Sequence, residues 1–148
     1  MKTYETQIVV IAAGPSGLSA AVQAAQCGAK VIVLEKASAI GGAANMGMGP
    51  LGIGTHYQKS QMIDITVEKA FNMFMEYTHY NVDARLVKRY FSQSAETIEW
   101  LEDMGVEFEG AFRYFPKSEA TWHIVKTDKG IGPRAASFMN RALYQKAQ

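Results

Sequence analysis

Cysteine is almost absent. Cys27 stands alone, so no disulfide can form within the chain. That agrees with a reducing compartment, and a cytoplasmic location is the expectation. Charge of one sign is lacking as well: 15 lysines and arginines balance 14 aspartates and glutamates. This excludes a nucleic-acid surface built on basic excess and offers no basic stripe to a membrane. Long apolar runs are missing. The opening MKTYETQ is polar, unlike a signal peptide, and no later stretch approaches the roughly 20 apolar residues that a bilayer span needs. Internal repeats and low-complexity segments are missing too. His56, His79 and His123 show no metal-ligand spacing, so no metal is expected. Surface or structural roles are expected for all three, and His123 beside Trp122 comes nearest to an exception.

What is present suits one domain with a real core, since 48% of the 148 residues are apolar. The run Ile8 to Ile11 is apolar and β-branched without alternation, the pattern of a strand covered on both faces in a parallel sheet. After a turn at Ala12 to Ser16, Leu18, Ala21, Val22 and Ala25 follow at helical spacing, and Gly28 stands at the expected helix end. Residues 30–35, KVIVLE, read as a second buried strand. Strand, helix and strand fit in about thirty residues, the size of a βαβ unit.

The turn in this unit carries the chemistry. Residues 9–17, VVIAAGPSG, place Ala12, Gly14 and Gly17 at the three positions of a G-x-G-x-x-G dinucleotide fingerprint. Gly14 lets a pyrophosphate approach bare backbone, and Gly17 lets the helix pack closely on the strand. The helix N-terminus then offers free N–H groups and partial positive charge. Ser16 can add a hydroxyl donor, and Pro15 is tolerated in the first helical turn. Ala12 departs from the pattern, and alanine there is strained by about 1 kcal/mol if the turn requires positive φ. Glu35 ends the second strand eighteen residues after Gly17, close to the ~20 expected of a carboxylate that grips the ribose.

Residues 37–62 read as a long loop of small residues, glycine and methionine, a length that points to function. A helix is expected over 65–79 with Asp64 or Thr66 as cap, its face formed by Ile65, Ala70, Phe71, Phe74 and Thr78. A stronger helix spans 84–104, opened by Asp83 and stopped by Gly105, with Leu86, Val87, Tyr90, Ile98 and Leu101 inward. Residues 106–133 read as irregular with a short strand over 106–108. A last helix starts near Arg134 and turns Ala135, Phe138, Met139, Ala142 and Leu143 inward.

The segment EKASAIGGAANMGMGPLG, residues 35–52, resembles the second half of the FAD site in the fumarate reductase and succinate dehydrogenase flavoprotein family. In that family a glycine pair follows the acidic strand end, and a small-residue segment then runs beneath the flavin. The resemblance implies an α/β fold: the N-terminal part of a Rossmann-like FAD-binding domain, a parallel βαβ unit plus helices, incomplete within 1–148. Its parts would be the nucleotide-binding unit 1–36, the flavin-contacting loop 37–62, the helix pair 64–105, and the segment 106–148 with its last helix, preceded by Gly132. It adds Lys36, Gly41, Gly42, Ala43, Ala44, Asn45, Gly47, Met48 and Gly49 as cofactor contacts. Met48 is expected on the flavin, and the other methionines in packing.

Ala44 stands where the family often has serine or threonine, and Asn45 is the nearest replacement for that hydroxyl. Covalent members attach FAD through a histidine in this segment, and none of residues 41–50 is histidine, so non-covalent FAD is expected. The family's catalytic arginine and substrate-binding groups lie on a later capping domain that this chain does not reach. No catalytic residue can therefore be named, and a small-molecule substrate is expected to be held through that domain. The implied activity is an FAD-dependent oxidoreductase acting on an acid-like substrate. The alternatives are a catalytically silent nucleotide-binding fragment and, disfavoured by the glycine pair, an NAD-binding domain. An incomplete sheet would also leave an edge for self-association.

Overall fold

The computed structural model describes residues 2–128 and 136–146. Its first unit is β1 (Ile8–Ile11), α1 (Pro15–Gln26) and β2 (Val31–Leu34). The strands pair in parallel, Ile8 opposite Val31 and Ile11 opposite Leu34. A crossover helix is what parallel pairing requires. Leu18, Ala21 and Val22 of α1 are buried, each 1% exposed, because helical spacing turns them to one side. Ala25, expected inward, is exposed. Gly28 has φ +85° and stands where α1 stops.

The reading of both strands as covered on two faces is corrected. Ile11 is 82% exposed, and Ile8, Val9 and Leu34 are exposed as well. Among the described residues the sheet has two strands, and α1 covers one side. The continuous apolar run reflects a strand whose second face has no cover among the described residues.

The loop 37–62 contains a 3-10 turn, Gly42–Met46, and a short helix α2, His56–Ser60. Thr55 and Gln58 cap α2 reciprocally. Helix α3 spans Val67–Tyr77 behind the cap Thr66, and α4 spans Ala84–Glu102 behind Asp83, which accepts from the N–H groups of Arg85 and Leu86. Phe74 and Phe91 join α3 to α4 edge-to-face, with ring centres 5.6 Å apart.

The inner stripe of α4 also differs from expectation. Phe91, Ser94, Ile98 and Leu101 are buried, whereas Leu86 and Tyr90 are exposed. Ser94 sits inside because its hydroxyl accepts from the Ile53 N–H at 2.9 Å and donates to the Phe91 carbonyl at 2.9 Å.

In place of a short strand over 106–108, the chain forms a hairpin of β3 (Phe108–Phe112) and β4 (Trp122–Val125), antiparallel with an irregularity between Phe108 and Gly110. Helix α5, Ala136–Lys146, buries Met139 and Leu143. Gly132, Arg134 and Ala135 lie outside the described residues. The main core joins Leu18 and Val22 of α1, Ile98 and Leu101 of α4, Phe108, Val125, and Met139 and Leu143 of α5. Each such side chain contributes about 1.5–3 kcal/mol by leaving water. This core fixes α1, and with it the turn at its head.

Candidate functional site

The turn between β1 and α1 is built by backbone. The Ala12 N–H donates to the Leu34 carbonyl at 2.7 Å, fixing the end of β1 beside the end of β2. Ala12 has φ +82°. That is the left-handed region, where a Cβ is strained. A Cβ on Gly17 would collide with the Ala12 carbonyl oxygen, so α1 can approach β1 only with glycine there. Gly14 is the N-cap of α1 and Pro15 opens the helix, with no side chain capping the first turn. Ser16 is exposed beside it. Nothing lies within 4 Å of where a Cβ on Gly14 would be.

Ala12→Gly tests the turn. We expect it to raise unfolding stability by about 1 kcal/mol, since glycine adopts this φ without strain. Flavin binding should tighten in parallel. Urea midpoints and a flavin titration that both match the parent would show that alanine is unstrained here.

Glu35 fastens the turn from the side. One carboxylate oxygen accepts from the Ala13 N–H and the other from the Ala37 N–H, both at 2.8 Å. These bonds to Ala37 and Ala13 hold its pKa below the usual carboxylate value, with a smaller contribution from the exposed Lys36 beside it. Glu35 is therefore ionised at neutral pH and offers its remaining lone pairs to hydroxyl donors.

The glycine pair returns to the same place. The Gly41 N–H donates to the Ala13 carbonyl at 2.7 Å, and a Cβ on Gly42 would come 3.9 Å from the Gly14 Cα. Gly14 and Gly42 thus face each other as two stretches of bare backbone, with the Glu35 carboxylate to one side. Ala43 is exposed and Ala44 half-buried in the 3-10 turn that follows. The Asn45 side chain turns inward: its Nδ2 donates to the Ile40 carbonyl and its Oδ1 accepts from Asn140 Nδ2, both at 2.7 Å. Both ends of the amide are engaged in holding the turn.

Residues 47–52 are not a free loop. The Val125 N–H donates to Met48, the His123 N–H to Pro50, and the Gly52 N–H to Thr121. The segment lies along β4, joined to it by these bonds and by an antiparallel bridge between Leu51 and Trp122. Met48 packs its side chain against the main core. A Cβ on Gly49 would collide with the His123 carbonyl oxygen, so the close approach at Gly49 is to β4. Trp122 Nε1–H donates to the Gly49 carbonyl at 3.0 Å. Sequence reasoning missed this ladder, although TWHIV, residues 121–125, is rich in the β-branched and aromatic residues that strands favour.

His123 locks the segment. It is fully buried, with Nδ1 at 3.1 Å from the Thr121 carbonyl and Nε2 at 2.7 Å from Thr55 Oγ1. A carbonyl only accepts, so Nδ1 carries the hydrogen and Nε2 accepts from the Thr55 hydroxyl. Burial holds its pKa below the ordinary histidine value, which keeps the ring neutral. Nearby, Tyr57 donates to Glu102 at 2.6 Å, and burial with this partner pushes the phenol up to about 12.

Leu51 and Trp122 also line an apolar cavity of 490 Å³ with Phe74, Phe91, Tyr114 and Phe115. Among the described residues, no His, Cys, Asp or Glu cluster could hold a metal ion, and Cys27 is exposed on its own. No helix among them is long and apolar enough to cross a membrane.

This arrangement fits a dinucleotide: bare backbone at Gly14 and Gly42, an uncapped helix head, and an ionised carboxylate beside them. The family model described as an FAD binding domain matches residues 7–143. The chain is 38% identical over 141 residues to a vinyl phenol reductase of Lactiplantibacillus plantarum, covering 95% of this chain and 27% of that protein. It is 36% identical over 101 residues to a cytochrome-type fumarate reductase of Shewanella frigidimarina, covering 68% of this chain and 18% of that protein. Among solved structures, the open conformation of a flavocytochrome c3 fumarate reductase superposes with TM-score 0.83 at 27% identity, over 95% of this chain and 25% of that one. A 3-ketosteroid-Δ4-(5α)-dehydrogenase from Rhodococcus jostii gives TM-score 0.86 at 26% identity, over 99% of this chain and 36% of that one. The chain thus spans about a quarter of the length of the first of these relatives.

Proposed function

The chain belongs to the FAD-binding domain family of the fumarate reductase and succinate dehydrogenase flavoproteins, and on that premise we propose that residues 1–148 are one partial domain holding the ADP half of a non-covalent FAD. The observation that carries this is the facing pair Gly14 and Gly42 beside an ionised Glu35. The pyrophosphate lies against the adjoining backbones of the two glycines and takes N–H groups at the head of α1. Glu35 accepts from the adenosine ribose hydroxyls while its own backbone bonds keep it aimed. From the pyrophosphate the cofactor runs along residues 41–49 toward its flavin end.

When bound, the flavin supplies hydride transfer between its N5 and a substrate carbon. The chain's share is to orient that ring. The ladder from Met48 to Gly52 on β4 holds the segment beneath it, and neutral His123 keeps the ladder closed without bringing charge to the site. The substrate is an unsaturated or saturated acid-like compound held by later parts of the protein, and the location is cytoplasmic. Self-association would use the uncovered β1–β2 sheet.

The test is colour. Purified protein should be yellow, heat or acid should release intact FAD, and the polypeptide mass should then equal that of the bare chain. A folded, colourless protein that takes up no FAD on reconstitution would sink the proposal, and flavin that stays with the denatured chain would overturn the non-covalent part.

A further inference from the structure

Asn140 is 1% exposed, on α5, and 95 residues from its partner Asn45. The orientation of both amides is fixed by their neighbours. The Ile40 carbonyl can only accept, so Asn45 must turn its NH2 there and its oxygen toward Asn140. Asn140 must then present its own NH2 to that oxygen. The result is that Asn140 Oδ1 is buried with no hydrogen-bond partner among the described residues. Such an acceptor is costly to leave unpaired, and flipping the amide would only set two oxygens face to face.

The orphan lies beside the glycine pair. A Cβ on Gly41 would come 2.7 Å from Asn140 Nδ2, and α5 packs on the 3-10 turn that begins at Gly42. The order of groups in FAD then selects what meets it. Ribose lies at Glu35 and pyrophosphate at Gly14 and Gly42, so the next group toward the flavin is the ribityl chain, whose hydroxyls are donors. We propose that Asn140 is a cofactor-binding residue whose Oδ1 accepts a hydrogen bond from a ribityl hydroxyl of FAD, with Asn45 as the positioning residue that aims it. This rests on the FAD reading given above.

The test compares ligands. Flavin-free protein is titrated with FAD and with ADP, which lacks the ribityl chain. Asn140→Leu should weaken FAD by roughly tenfold more than it weakens ADP, the excess being the scale of a lost buried hydrogen bond, since any loosening of the turn held through Asn45 acts on both ligands. A parallel fall for both ligands, or no change for either, overturns the proposal. Should the variant not fold, the unmodified protein decides. One of the FAD analogues lacking a single ribityl hydroxyl should bind about tenfold more weakly than FAD, and equal affinity for all of them overturns the proposal. If the parent binds neither FAD nor ADP, the FAD reading itself has failed.

Discussion

Replacing Gly49 with alanine is expected to destabilise the protein by about 3 kcal/mol or more, the range of substitutions that force backbone apart in a packed interior. The added Cβ would collide with the His123 carbonyl oxygen, and Gly49 already has φ +156°. No flexible side chain stands in the way, so relief requires the whole segment to move off β4. That would break the bonds from the His123 and Val125 N–H groups to Pro50 and Met48, and the Trp122 indole bond to Gly49. The Thr55–His123 contact would loosen with them. Chemical denaturation should show an early midpoint, and flavin affinity should fall as a consequence. A stability loss under about 0.5 kcal/mol, the scatter of neutral surface changes, would mean that the segment does not lie on β4 as described.

Glu35→Gln should lower the affinity for FAD and for ADP by about a hundredfold each, equivalent to roughly 3 kcal/mol. Both carboxylate oxygens accept from backbone N–H groups, at Ala13 and at Ala37. Glutamine has one oxygen, so its NH2 must oppose one of those N–H groups, and it presents no charge to the ribose hydroxyls. The equal loss for both ligands separates this residue from Asn140, whose proposed contact lies on the flavin side. Isothermal titration of the two ligands reads both effects. Unchanged ADP binding in Glu35→Gln would remove the carboxylate from the nucleotide site.

The nucleotide turn was legible because it is local. Strand, turn, helix and carboxylate fall within residues 8–35, and each announces itself by residue type: the β-branched run, the Gly17 packing contact, the acid ending β2. The positive φ at Ala12 was anticipated from a fingerprint position. The α4 stripe was misread because its centre is Ser94, a polar residue inside for the sake of Ile53 and Phe91 backbone. The hairpin was missed because β3 reads FEGAF, with Glu109 and Gly110 interrupting any apolar run and the pairing itself irregular there. Gly49 and Met48, expected as flavin contacts, also carry structural roles no sequence pattern announced: one makes room for β4 and the other packs on the core. The Asn45–Asn140 pair joins positions 95 apart, and no one-dimensional pattern carries such a contact.

The burial of α1 has a consequence for how the protein comes off the ribosome. Its inward residues Leu18 and Val22 share their core with Ile98, Leu101, Met139 and Leu143. The turn that receives the diphosphate is therefore synthesised early but gains the α5 part of its backing more than a hundred residues later. Until then the nascent βαβ unit has an open apolar helix face and two strands exposed on the other side, the kind of surface that chaperones bind. Cofactor capture during synthesis would have to wait for α5.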